Sequence, residues 1–253
     1  MSSQAWIASS TSDIQAATAP ARHSALVRVT HWLTAIAFLA LLVTGIEILI
    51  SHPRFYWGEI GNINTTPLFK IPIPSSRRMV PTGYGYVLPD QNGWSRYLHF
   101  QSAWALILTG LLYGIYIFFS GHLRKNLLPS TADLSPRRLS SAIASHLRFQ
   151  RPSESEARSY NVLQRLAYLL VIFVLFPLII WTGLAMSPAV VSAFPAMVST
   201  LGGQQSARTI HFFVTILLTL FLLVHLVMIC LAGFWTRTEA MITGRPADQK
   251  EKA

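Results

Sequence analysis

His211-Phe-Phe-Val-Thr-Ile-Leu-Leu-Thr-Leu-Phe-Leu-Leu-Val-His225 is an uncharged, mostly apolar stretch with an imidazole at each end. At about 1.5 Å of rise per residue, fourteen steps cover roughly 21 Å and about 3.9 turns, so both rings leave one helix face. That span is about two-thirds of a hydrocarbon core roughly 30 Å thick. The apolar run around it extends from about Thr209 to Phe234, and three others precede it at roughly Val29–Ile50, His99–Ser120 and Leu163–Met186. Each is long enough to cross a bilayer as a helix, where the backbone satisfies its own hydrogen bonds. The expected fold is therefore an all-α integral membrane protein, a four-transmembrane-helix bundle. Composition agrees: 52% of residues are hydrophobic and 12% charged, about half the charged fraction of a soluble domain.

Working outward, the chain divides into a polar tail over residues 1–21, a membrane domain over 22–245 and a short tail over 246–253. The first twenty residues lack a basic start followed by an apolar core, so no cleaved signal peptide is expected. The net charge of +10 is unevenly placed. With four spans, both termini and the middle loop share one side, and that side holds fourteen of the twenty Lys and Arg residues. The positive-inside rule puts both termini in the cytoplasm of a bacterial inner membrane. The basic excess thus answers to topology and membrane lipid rather than to nucleic acid. Between the second and third spans, Ser135-Pro136 marks a helix start. Leu139, Ile143 and Leu147 share a face there, predicting an amphipathic cytoplasmic helix on the inner leaflet. Pro177 should kink the third span. The long periplasmic loop from Ser51 to Trp94 is rich in Pro, Gly and aromatic residues and reads as an ordered cap. Cys230 stands alone, which excludes an internal disulfide, covalent c-type haem and a cysteine-ligated cluster.

Four histidines fall inside the apolar runs: His31, His99, His211 and His225. Placed by span direction, His31 and His225 lie near the cytoplasmic face, and His99 and His211 near the periplasmic face. Only the pairings His31·His225 and His99·His211 keep both partners at one depth. Ionisable groups at such depth are costly and mark function. Two pairs at two levels predict two b-type haems, each ligated by two histidines, stacked across the membrane. Such ligation fills both axial positions of the iron and suits electron transfer. His23, His52, His122 and His146 flank the spans and read as interfacial or solvated, with His52 the substitute outer ligand.

Arg28, Arg96 and Arg208 each precede one of these histidines by three residues, one turn toward water, where haem propionates would point. The alternative is that they only mark the membrane edge. Gly45 lies fourteen residues after His31, and Gly114 fifteen after His99. Each brings a side-chain-free surface to the other haem level, or serves ordinary helix packing.

These residues resemble a known family. Arg28-x-x-His31-Trp32 with Thr44-Gly45, His99-Phe100, His211…His225, Asn161-x-x-Gln164-x-x-x-Tyr168 and Met241-x-x-Gly244 are similar to the di-haem b-type cytochrome subunits of nickel–iron hydrogenases, formate dehydrogenases and thiosulfate reductases. The resemblance covers residues 22–245. It implies that His31 and His225 bind a cytoplasmic-side haem, and His99 and His211 a periplasmic-side haem. It further implies electron exchange between the quinone pool, menaquinone or ubiquinone, and a periplasmic redox subunit. A molybdopterin oxidoreductase is an analogy for that partner. Quinone contacts are expected around Arg28, Trp32, His225, Gln164 and Tyr168. No catalytic residue of another kind is expected. Two other readings compete: a histidine-lined proton or metal transporter, and a structural anchor. The spans hold almost no carboxylate beyond Glu47, which disfavours the first. The anchor does not require four depth-matched histidines.

Overall fold

The computed structural model describes residues 24–62, 64–72, 91–121, 123–129, 134–147 and 162–244. The expected tails 1–21 and 246–253, the 73–90 part of the loop, and His23 and His122 lie outside the described residues. Among the described residues, four helices are long and apolar enough to cross a membrane. They are α1 (Ala25–Ser51), α2 (Gln91–Phe119), α4 (Val162–Ala185) and α7 (Gln204–Leu231). Shorter helices are α3 (Pro136–Leu147), α5 (Pro188–Ala193), α6 (Ala196–Ser199) and α8 (Phe234–Thr243). The chain is a four-helix membrane protein, and α3 begins at the Ser135-Pro136 signal.

The bundle is two antiparallel hairpins, α1–α2 and α4–α7. Backbones approach closely within each hairpin and only sparsely between them. Small residues explain the closeness of α1 and α2. Thr30, Ala37, Thr44 and Ser51 are buried at intervals of seven in α1, and Ser95, Ser102 and Thr109 at the same interval in α2. Lipid supplies no hydrophobic drive between apolar helices, so short side chains that let backbones touch hold the pair. Between α4 and α7 the contact is aliphatic: Val171, Leu175, Val214 and Leu218 form a buried cluster, against which Phe38 of α1 packs.

Pro177 acts on α4 through a local change of helix type. Val171–Leu175 form a π-helical turn, and the Phe176 N–H donates to the Val171 carbonyl, five residues back. The turn accommodates a proline ring that would collide with a regular carbonyl four residues earlier. The apolar run of the fourth span reaches Phe234, but α7 stops at Leu231. Gly233, at φ +95, breaks the axis and α8 sets off anew. Hydropathy continues through this break, which is why composition alone did not show it.

We call the end of the bundle where α1 starts and α7 ends the terminal side, and the other the hairpin side. On the hairpin side, β1 (Arg54–Phe55) pairs antiparallel with β2 (Phe69–Lys70). Phe55 stacks on Phe69 at 4.7 Å and lies 4.5 Å from Phe212 of α7. Tyr56 is buried, and its hydroxyl donates to the Asn62 carbonyl. The start of α7 docks on this cap. Thr209 Oγ1 donates to the Tyr56 carbonyl at 2.7 Å, and the Gly58 N–H donates to Ser206 Oγ at 2.7 Å. The short helices α5 and α6 complete this side, where Trp181 Nε1 donates to the Met197 carbonyl.

Candidate functional site

The helices bring the four membrane histidines together in two pairs. His31 of α1 faces His225 of α7 with ring centroids 6.4 Å apart. His99 of α2 faces His211 of α7, also at 6.4 Å. Two metal–imidazole bonds of about 2 Å plus two ring radii would set opposed ligands about 6 Å apart. Among the described residues, no group of three or more His, Cys, Asp or Glu side chains could hold a metal ion. A two-imidazole donor set suits an iron that brings its own four equatorial nitrogens. The backbones of the two hairpins keep apart, and side chains such as Phe38 of α1 reach across to the Val171, Leu175, Val214 and Leu218 cluster of α4 and α7.

Around the hairpin-side pair, Thr44 Oγ1 lies 2.9 Å from His99 Nδ1. Thr182 Oγ1 lies 3.0 Å from His211 Nδ1. Each threonine is followed by glycine. A Cβ on Gly45 would meet His99 Cε1 at 3.7 Å, and one on Gly183 would meet His211 Cε1 at 3.6 Å. Gly45 therefore lies beside a ring of this pair. A Cβ on Gly114 would meet nothing within 4 Å. Thr182 and Gly183 are not among the residues the sequence singles out, although they repeat the Thr44-Gly45 dipeptide.

The terminal-side pair is built differently. His225 stacks on Phe221 at 5.9 Å, and Tyr168 of α4 packs edge-on against Phe221 at 6.2 Å. Trp32 lies edge-on to His31 at 5.4 Å. Two nitrogens here, His31 Nδ1 and Arg28 Nε, are buried without a hydrogen-bond partner. The arginines are engaged elsewhere too. Arg28 Nη1 donates to the Ile242 carbonyl at 2.6 Å, and Trp32 Nε1 to the Met241 carbonyl at 3.3 Å, so both tie α1 to α8. Arg208 Nη2 donates to the Arg54 and His52 carbonyls, and its guanidinium lies 5.1 Å over the Phe55 ring. Arg96 is exposed.

His52 follows the last residue of α1, outside the span. Burial holds its pKa below the usual 6.5, and the Arg208 and Arg96 charges add to this, against a smaller opposing effect from the Ile48 carbonyl. A depressed folded pKa means that the unfolded chain takes up the proton first. Stability contributed by neutral His52 is intact above about pH 6.5 and is lost as pH falls below it. Thermal unfolding in detergent should therefore show a midpoint that drops from pH 7 to pH 5, and a shallower drop in His52→Gln. Parallel pH curves for the two proteins would refute this.

Two imidazole pairs thus lie at two levels of a four-helix membrane bundle. The chain belongs to the prokaryotic cytochrome b561 family, whose profile matches residues 22–244. It is 29% identical over 214 residues to a protein of Azospira oryzae provisionally described as the protein-methionine-sulfoxide reductase subunit YedZ1, an alignment covering 83% of this chain and 90% of the relative. No solved structure matches it significantly. As a family member the chain is a membrane electron-transfer protein that carries b-type haem.

Proposed function

We propose that the chain holds two b-type haems, one between His99 and His211 and one between His31 and His225, and carries electrons across the bacterial inner membrane. The observation that supports this most is the matched geometry of two imidazole pairs, each at 6.4 Å, fourteen residues apart on α7. Bis-histidine haem supplies a one-electron carrier with no open coordination position. The residues of the chain do the rest. The hydroxyls of Thr44 and Thr182 hold the rings of the hairpin-side pair. Arg28, Arg96 and Arg208 put positive charge one turn toward water from three of the four ligands, where anionic propionates would lie. Val171, Leu175, Val214 and Leu218 fill the layer between the levels with apolar side chains and exclude water from it.

The terminal side is the cytoplasmic side in this reading, set by its excess of basic residues. The quinone pool exchanges electrons there, near Arg28, Trp32, Gln164, Tyr168 and His225. On the other side, the cap of residues 52–72 and the segment 187–203 face a periplasmic redox subunit, of molybdopterin type by analogy. The relative's description as a subunit of a methionine-sulfoxide reductase supports an oxidoreductase partner.

A reduced-minus-oxidised absorption spectrum with haem quantitation tests the reading. Sharp b-type bands and about two haems per chain are expected. A folded preparation from haem-replete cells with one haem per chain or none would overturn it.

A further inference from the structure

We propose that Thr44 and Thr182 are positioning residues that fix the proton and the orientation of the His99 and His211 rings, making the hairpin-side centre electronically distinct from the terminal-side one. The inference rests on the bis-histidine reading above.

A threonine hydroxyl has one proton to give. Thr44 Oγ1 donates to the Ala40 carbonyl at 2.7 Å, four residues back, and Thr182 Oγ1 to the Leu178 carbonyl at 2.8 Å. With that proton spent on its own helix, each hydroxyl meets the imidazole only as an acceptor. The contacts at 2.9 and 3.0 Å are therefore Nδ1–H donating to Oγ1. Both rings are held as the Nδ1–H tautomer, and Nε2 is left with the lone pair that a metal takes. Both threonines are fully buried, so no water competes for the bond. The following glycine completes the clamp, because Gly45 and Gly183 let each ring edge lie against the helix backbone.

The same device is used twice, from α1 onto α2 and from α4 onto α7. It fixes the two ligands of one centre from opposite hairpins. Among the described residues the terminal-side pair has no matching clamp: His31 Nδ1 is buried without a partner there, and His225 is held by the Phe221 ring. An imidazole whose second nitrogen donates a hydrogen bond is a more basic ligand, and such outer partners tune the metal they do not touch. A more basic ligand pair favours Fe(III) over Fe(II), so the clamp lowers the potential of the hairpin-side haem.

The test is a potentiometric titration of the purified holoprotein and of Thr44→Val, Thr182→Val and Thr182→Ser. Valine keeps the shape and removes the hydroxyl acceptor, leaving only the Leu41 or Ile179 carbonyl beside the ring, whereas serine keeps the hydroxyl. In each valine variant one of two redox transitions should move to higher potential, by about tenfold in the Fe(III)/Fe(II) equilibrium or ~59 mV for a one-electron couple. The other transition should stay, and serine should restore the native position. A valine variant that retains haem with both transitions unmoved would overturn the inference. Should valine cost the fold, 15N spectra of the reduced native holoprotein decide instead. His99 and His211 should show slowly exchanging Nδ1–H signals; their absence overturns the proposal. A native protein that binds no haem would defeat the bis-histidine reading itself.

Discussion

His225→Ala should bind one haem per chain instead of two, and quinol should no longer reduce the haem that remains. Losing only an outer-shell partner of a metal ligand costs 10–100-fold in affinity, so losing a ligand should exceed about 100-fold. The remaining haem, between His99 and His211, should keep its bands and its potential, because Thr44 and Thr182 hold those rings independently of α8 and Phe221. His211→Ala is the complement. It should also leave one haem, still reduced by quinol, with no onward transfer to a periplasmic acceptor. Stopped-flow absorption with a soluble quinol and an artificial acceptor reads both variants. If His225→Ala is reduced by quinol at the native rate, the assignment of quinone chemistry to the terminal side is wrong. If either variant loses both haems while remaining folded, the two centres are not independent.

What was legible in the chain divides along the range of the physics involved. The pairing of His31 with His225 and of His99 with His211 could be read in advance, because a straight helix converts residue number into depth. Nothing more than span direction was needed to match levels. The small-residue seam of Thr30, Ala37, Thr44 and Ser51 was equally open to inspection as a repeat of seven. A count of apolar residues does not reveal it, because this seam is partly hydroxylated. Thr182 is a different case. Its role depends on a contact between α4 and α7 that no local period reports, and only the recurrence of Thr-Gly hinted at it. The break at Gly233 was hidden because Leu231-Ala-Gly-Phe-Trp235 remains apolar throughout. The direction of Arg28 and Arg208 toward backbone carbonyls of α8 and the cap likewise follows from segments that only the fold brings near.

Gly203→Ala should loosen the seat of α7 on the cap, costing on the order of 3 kcal/mol. Gly203 sits at φ 113 and ψ 169, a region essentially closed to residues with a Cβ. The added carbon would also lie 2.5 Å from the Gly58 carbonyl group and 2.6 Å from a Glu59 carboxylate oxygen. Neither neighbour can retreat freely. The Gly58 carbonyl accepts from the Gln205 and Ser206 N–H groups at 3.0 and 3.2 Å, and Glu59 accepts from the Gln204 N–H at 3.1 Å. These acceptors cover the first amides of α7, which no helical carbonyl can serve, and the carboxylate suits the positive end of the helix. Pushing the 58–59 segment away uncovers those amides at the end of the helix that carries His211. For a chain of this length, the thermal midpoint should fall by roughly 6–12 °C. Gly202→Ala is the control: φ is 78, but the new carbon meets Ser206 Oγ at an ordinary 3.6 Å, so the cost should be about 1–2 kcal/mol. Heating scans followed in the haem bands should show Gly203→Ala releasing the hairpin-side haem first. Equal midpoints for the two alanine variants would mean that the cap does not secure the start of α7.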